Sequence, residues 1–165
     1  MSYSSFVPKF LTATLCLTLC CGARPAAAAD VFEQVIAAWN SHDPDKVVAM
    51  YADDVVFEDV TLGAVNHGRD ALRKFVKFTF DVSPDIHFVL TKSFLQDGNG
   101  YMEWTMTGTD VGLFKTNKHF DVRGVSVVGE ASGKLAWDRD YYDLATVMKQ
   151  VGVLPAPKES AANTH

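Results

Sequence analysis

Apolar positions along the chain fall into two regimes, with helical spacing first and alternation afterwards. Val31, Phe32, Val35, Ile36 and Trp39 recur at three- and four-residue intervals, the stripe of an amphipathic helix. Asn40-Ser41-His42-Asp43-Pro44 ends it. Asp43 suits the cap of a second helix, and Pro44 its first helical position, where a missing N–H costs nothing. That second helix is expected to turn Val47, Val48, Met50 and Tyr51 inward, with Asp53-Asp54 leading into a strand over Val55 to Val60. Gly68-Arg69-Asp70 opens a third helix, whose stripe is Ala71, Leu72, Phe75 and Val76.

After Ser83-Pro84 the period changes to two. Ile86, Phe88 and Leu90 alternate with His87, Val89 and Thr91. Asp97-Gly98-Asn99-Gly100 is a hairpin signal, followed by strands from Tyr101 to about Thr109, from His119 to Val128 and from Lys134 to Tyr142. Tight turns between successive strands predict an antiparallel sheet. Gly124 is expected to mark a bulge or bend that lets the sheet curl. Asp143 can cap a short last helix, Leu144 to Val151, stopped by Gly152, and residues 155 to 165 read as a loose tail. Helices followed by a meander give an α+β fold, with a curved sheet covered by three helices.

The first 29 residues belong to neither regime. Lys9, an apolar run from Phe10 to Cys21 and an Ala-rich exit describe a secretory signal peptide. The run is too short for a bilayer, which takes roughly 20 apolar residues. A lipid-anchored variant would want a small residue just before the cysteine, where Leu19 and Cys20 stand. The domain is therefore expected over residues 30 to 154, without an integral membrane segment. Cys16, Cys20 and Cys21 all lie in the leader, so the mature part has no disulfide or thiolate site, which suits a bacterial periplasm or medium. Fifteen Lys and Arg against twenty Asp and Glu, less Lys9 and Arg24 of the leader, leave the mature part at −7. That balance, without a basic cluster, argues against nucleic acid or an anionic membrane as partner.

The residues also carry a resemblance. The stretch from Met50 to Asp59, then His67-Gly68-Arg69-Asp70-Ala71-Leu72, resembles bacterial ketosteroid isomerases. Glu103 to Gly112, then Arg123-Gly124-Val125-Ser126-Val127, is similar to the SnoaL-like cyclases, and Arg139-Asp140-Tyr141-Tyr142-Asp143 resembles the ending of limonene-epoxide-hydrolase-like proteins. Together these identify a SnoaL-like member of the nuclear transport factor 2 superfamily over Val31 to Gly152. The resemblance implies a conical cup around an apolar ligand pocket, and a homodimer.

It also implies roles for particular residues. Asp59 matches the proton-abstracting base of the isomerases, and Asp140 matches one of two catalytic carboxylates in the epoxide hydrolases. Phe57, on the same strand face as Asp59, is expected to line the pocket with Trp104, Met106, Ser126 and Tyr142. The isomerases' second, protonated Asp falls on Ser126 and their oxyanion tyrosine near Val35, so classical steroid isomerisation is not expected. The epoxide hydrolases' Arg-x-Asp would fall within Glu103 to Thr107, which holds neither residue.

Plainer readings stand beside these. Asp59 can instead satisfy turn amides before Gly63, Asp140 can instead pair with Arg139 or Arg123 at the sheet rim, and Trp104 with Met102 and Met106 can be ordinary core. His42, His67, His87, His119 and His165 are scattered, so no metal is expected, and no glycine-rich phosphate loop or other cofactor motif occurs. Two classes of function follow. One is an acid–base isomerase, cyclase or lyase acting on a hydrophobic carbonyl-bearing molecule; the other is a non-catalytic binder of an apolar ligand, with an epoxide-hydrolase-like hydrolase as a further alternative. The exported protein should begin at Ala29 or Asp30; an intact mass retaining Met1, or a lipidated Cys20 or Cys21, would refute the leader.

Overall fold

A computed structural model describes residues 26 to 155 and the side chains from Val31 onward. The expected leader, as far as residue 25, and the tail from residue 156 lie outside the described residues. The chain runs α1 (Ala26–Asn40), α2 (Pro44–Ala49), β1 (Tyr51–Asp59), β2 (Ala64–His67), α3 (Gly68–Val82), β3 (His87–Gln96), β4 (Asn99–Thr109), β5 (His119–Ala131), β6 (Lys134–Tyr142) and α4 (Leu144–Gln150). The fold is α+β, with one six-stranded sheet in the order β2-β1-β6-β5-β4-β3.

Local chemistry sets most of the boundaries. Asp43 Oδ1 accepts from the Asp45 and Lys46 amides at the start of α2, and Asp143 Oδ1 accepts from the Thr146 amide at the start of α4. Asp97 and Gly98 both have positive φ between β3 and β4, as have Ser132 and Gly133 between β5 and β6. Two successive residues of that kind fit the right-handed twist of a two-residue hairpin. Asn40, the last residue of α1, donates to the Phe88 carbonyl and accepts from the Phe88 amide, both at 2.8 Å. Its amide group thus stands in for a strand neighbour and staples the helix end to β3.

Three expectations are corrected. Tyr51 is not on a helix: α2 stops at Ala49, and Asp53-Asp54, expected to turn the chain, lie within β1, where its pairing with β6 slips register between Tyr51 and Val56. The sheet is not wholly antiparallel, because β1 lies parallel to β6 with Phe57 opposite Asp138 and Asp59 opposite Asp140. Such a long-range pairing needs no turn between its strands and so leaves no local sequence mark. Finally, Gly124 is no bulge. It sits in unbroken register opposite Trp104, and a Cβ there would collide with the Trp104 indole.

The core lies where α1, α2 and α3 close over the concave face of the sheet. Phe32, Val35, Val47, Val55, Leu72, Val76, Val128 and Leu135 are fully buried. Trp39 packs on Phe57, Phe80 and Phe88 with ring centroids 5.6–6.4 Å apart, and donates from Nε1 towards the Tyr51 hydroxyl at 3.5 Å. Val56, Val65, Phe94, Val127 and Tyr141 are exposed on the convex face among the described residues. Trp39→Ala should cost about 3–5 kcal/mol of unfolding free energy, the usual large-to-small loss. Urea titration of the mature chain measures it, and a loss below about 1 kcal/mol would make α1 peripheral.

Candidate functional site

Alternation along β6 turns Asp138, Asp140 and Tyr142 to the concave side and Trp137, Arg139 and Tyr141 to the convex side. Parallel pairing with β1 then brings Asp59 beside Asp140, and antiparallel pairing with β5 brings Ser126 to its other flank. Met102 of β4 completes that row across the sheet. Over the row, the helices and the loop between β4 and β5 leave a cavity of about 100 Å³, several times what one water needs.

The cavity wall is mostly apolar and aromatic. Trp39, Tyr51, Phe88, Trp104, Phe120 and Tyr142 supply its rings. Among the described lining residues there is no Lys, Arg or His, yet three carboxyl groups, those of Asp59, Asp138 and Asp140, enter it from the sheet. Each is held by a hydroxyl, and in two cases that hydroxyl is backed by an indole. Trp104 Nε1 donates to Ser126 Oγ at 2.9 Å, and Ser126 Oγ donates to Asp140 Oδ1 at 2.5 Å. Trp39 Nε1 points to the Tyr51 hydroxyl, which donates to Asp138 Oδ2 at 3.0 Å. The Tyr142 hydroxyl donates to Asp59 Oδ2 at 3.2 Å, while Asp59 Oδ1 accepts from the Leu62 amide at 2.7 Å.

Burial without a cation makes ionisation expensive, and the three groups respond accordingly. Desolvation pushes Asp140 up to about 7, with Ser126 pulling down and the charge of Asp59 pushing further up. Asp138 is raised well above the ordinary carboxylate value by desolvation and then by Asp140. These two titrate as a pair. Asp59 is raised as well, because desolvation outweighs the hydrogen bonds from Leu62, Tyr142 and Thr61 that favour its ionised form. The Tyr51 and Tyr142 hydroxyls are pushed upward by burial and by the neighbouring carboxylates, so both remain donors. All three carboxyls therefore hold their protons to higher pH than an exposed carboxylate does.

The structure brings together Asp59, Asp140, Trp104, Met106, Ser126 and Tyr142, all on the wall of one cavity. Phe57 is corrected. It is 1% exposed and stands behind the wall, packed on Tyr51, Trp39 and Phe75, where it backs the rings that do face the cavity. The two readings of Asp59 hold together, since it caps the turn at Leu62 and also faces the cavity. Asp140 does not pair with Arg139, whose Nε is 3.2 Å from Glu58 Oε2 on the opposite face. Val35 is buried in the core and lines no part of the cavity.

Sequence reasoning passed over Asp138 and Tyr51. The missed signal was the period of two along β6, which places Asp138 on the face of Asp140 and Tyr142. Asp110, at the cavity mouth, is already committed. Burial pushes its pKa up, but the amides of Phe114 and Thr116 and the Thr116 hydroxyl, all within 2.9 Å, hold it below the ordinary value.

The SnoaL-like domain profile matches residues 32–137, more than half the chain. The chain belongs to the SnoaL-like family. Solved SnoaL-like relatives share its fold at low identity. A Catenulispora acidiphila protein with a ketosteroid isomerase-like fold, solved in complex with trimethylamine, is 22% identical over 76% of this chain and 94% of its own, with a TM-score of 0.71. A Shewanella denitrificans protein described as a candidate SnoaL-like polyketide cyclase is 20% identical over 79% of this chain and all of its own, at a TM-score of 0.66. A candidate polyketide cyclase from Streptomyces antibioticus is 18% identical over 75% and 97%, also at 0.66. Comparison with curated proteins finds no match.

The raised carboxyls fix the sign of a stability effect. A group protonated more readily in the folded than in the unfolded chain stabilises the fold at low pH, and that contribution is lost as pH rises through its folded value. For Asp140 the window runs from about 4 to about 7. Asp140→Asn should therefore stabilise the SnoaL-like domain near pH 8, by up to about 4 kcal/mol, with the gain gone near pH 4. Urea titrations across that range read the effect; a variant destabilised at pH 8 would contradict it.

Proposed function

We propose that this SnoaL-like protein is an exported acid–base enzyme acting on a small hydrophobic, carbonyl-bearing molecule, with Asp140 and Asp59 moving the proton. The observation that carries the reading is one largely apolar, aromatic cavity in which a carboxyl pushed up to about 7 stands beside a second carboxyl in the same cross-strand row. A base working near neutral pH is most effective when its pKa lies near the ambient value, and a dry, aromatic cavity is what raises a carboxylate there. Asp140 accepts the proton from an acidic C–H of the substrate. Ser126 orients its carboxylate through Oδ1, leaving Oδ2 for the transfer. Asp59, more modestly shifted, takes or returns a proton at the other end of the row, where Tyr142 holds it. Tyr51 and Asp138 support Asp140 from behind, Tyr51 by its hydrogen bond to Asp138 and Asp138 by the charge that favours a proton on the pair.

Supporting the cavity as a small-molecule site are the SnoaL-like profile and the trimethylamine complex of the Catenulispora relative. The leader-like first 29 residues support export. Binding without catalysis is the second reading, favoured by the hydrogen bond that ties Asp59 to the Leu62 amide as a turn cap.

The two readings separate in heavy water. Incubated with a panel of cyclic and aryl ketones, each tried with and without a tertiary amine group, the mature protein should speed hydrogen–deuterium exchange at carbons next to the carbonyl, followed by NMR. Asp140→Asn should lower that rate by about 10²-fold or more, the usual worth of a positioned base. Exchange no faster than with Asp140→Asn across the whole panel would leave binding as the function.

A further inference from the structure

We infer that the ligand of this cavity carries a positive charge: an apolar organic ammonium, its nitrogen among the aromatic rings and facing Asp138 and Asp140. The inference rests on the cavity being a small-molecule site and deepens that reading by naming the charge class of what enters.

Three observations support it. First, the titratable groups facing the Asp138–Asp140 pair are Asp59 and Tyr51 from β1 and Tyr142 from β6, with Asp110 at the mouth; α1, α3 and α4 contribute none to the wall. Every one is acidic. Among the described lining residues nothing offsets their charge, so an anionic ligand would meet repulsion without any compensating cation. Second, Asp138 is 1% exposed, and its Oδ1 accepts from no amide or hydroxyl even though its Oδ2 accepts from Tyr51. Apart from Tyr51, its side-chain partner is the Asp140 carboxyl, joined to it through a proton that one of the two must carry, so a cation entering here can take that proton's place. Third, the walls that face this pair are π-systems. Phe88 and Trp104 stand edge to face at 5.6 Å, and Trp104 and Tyr142 lie 6.2 Å apart. Ring faces attract an alkylammonium, most strongly where water is excluded.

Neutral apolar ligands would be served by the rings but would leave the carboxyls as they are. An ammonium uses both. It also favours the ionised carboxylates, so its arrival drives a proton off the Asp138–Asp140 pair and leaves Asp140 in its basic form. Ligand entry would then switch the base on, and binding would be coupled to proton release.

Three isosteric probes test the charge preference directly: benzyldimethylamine, the hydrocarbon isobutylbenzene and the anion phenylacetate. Trp39 and Trp104 line the cavity, so their fluorescence reports occupancy. Near pH 8 the amine should bind at least about tenfold more tightly than the hydrocarbon, and the anion more weakly than either. That advantage should shrink towards about pH 5, where the pair holds its protons, and calorimetry in buffers of different ionisation enthalpy should show protons released on binding. Asp140→Asn should lose the preference for the amine and keep the hydrocarbon. Hydrocarbon bound as tightly as amine near pH 8, or anion bound more tightly than amine, overturns the inference and leaves the cavity as a ligand site. Failure of all three probes to bind overturns both.

Discussion

Three carboxyl groups from the sheet share one aromatic cavity with no basic side chain among its described lining residues, and much of the structure is arranged around that constraint. Each group must be desolvated, and none is neutralised by an ion pair. The fold answers with neutral donors instead. Ser126, Tyr51 and Tyr142 each give a hydroxyl to one carboxyl, and Trp104 and Trp39 direct their indole N–H groups at the first two of these hydroxyls. Neutral donors hold a carboxyl in place without forcing it to ionise, which an Arg or Lys at the same distance would do. The result is a set of fixed acids whose protonation state is open to influence from whatever occupies the cavity.

Much of this was legible in the sequence. The stripe from Val31 to Trp39, the Asp43 cap and the Asp97-Gly98 turn are local signals, and local physics decides them. Asp59 and Asp140 were recognisable because each lies in a short stretch with strong family resemblance. What escaped was non-local. Nothing near Tyr51 marks it as the first residue of a strand rather than the last turn of a helix, because its strand is paired with residues more than eighty positions away. Asp138 escaped for a different reason: attention to one matched residue hid its neighbour two positions earlier on the same face. Phe57 shows the converse error, since sharing a face with Asp59 put it under the cavity and not on its surface.

Gly124 also illustrates how a residue can be read correctly as special and wrongly as to cause. Its missing side chain makes room for the Trp104 ring rather than for a bend of the strand. The indole lies flat enough against β5 to reach Ser126, and so a glycine two residues away helps to position the hydroxyl that holds Asp140. Glycine, indole, hydroxyl and carboxyl form one chain of contacts across β4, β5 and β6.

The parallel pairing of β1 with β6 has a bearing on how the molecule is made. Asp59 belongs to one of the earliest strands to emerge during synthesis, and Asp138 and Asp140 to the latest. Loop closure over such a span makes this contact a late one. Until it forms, all three carboxyls are in water and ionised at neutral pH; once it forms, they bind protons more tightly. Completing the sheet therefore raises the proton affinity of all three, and in mildly acidic solution folding of this chain takes up hydrogen ions.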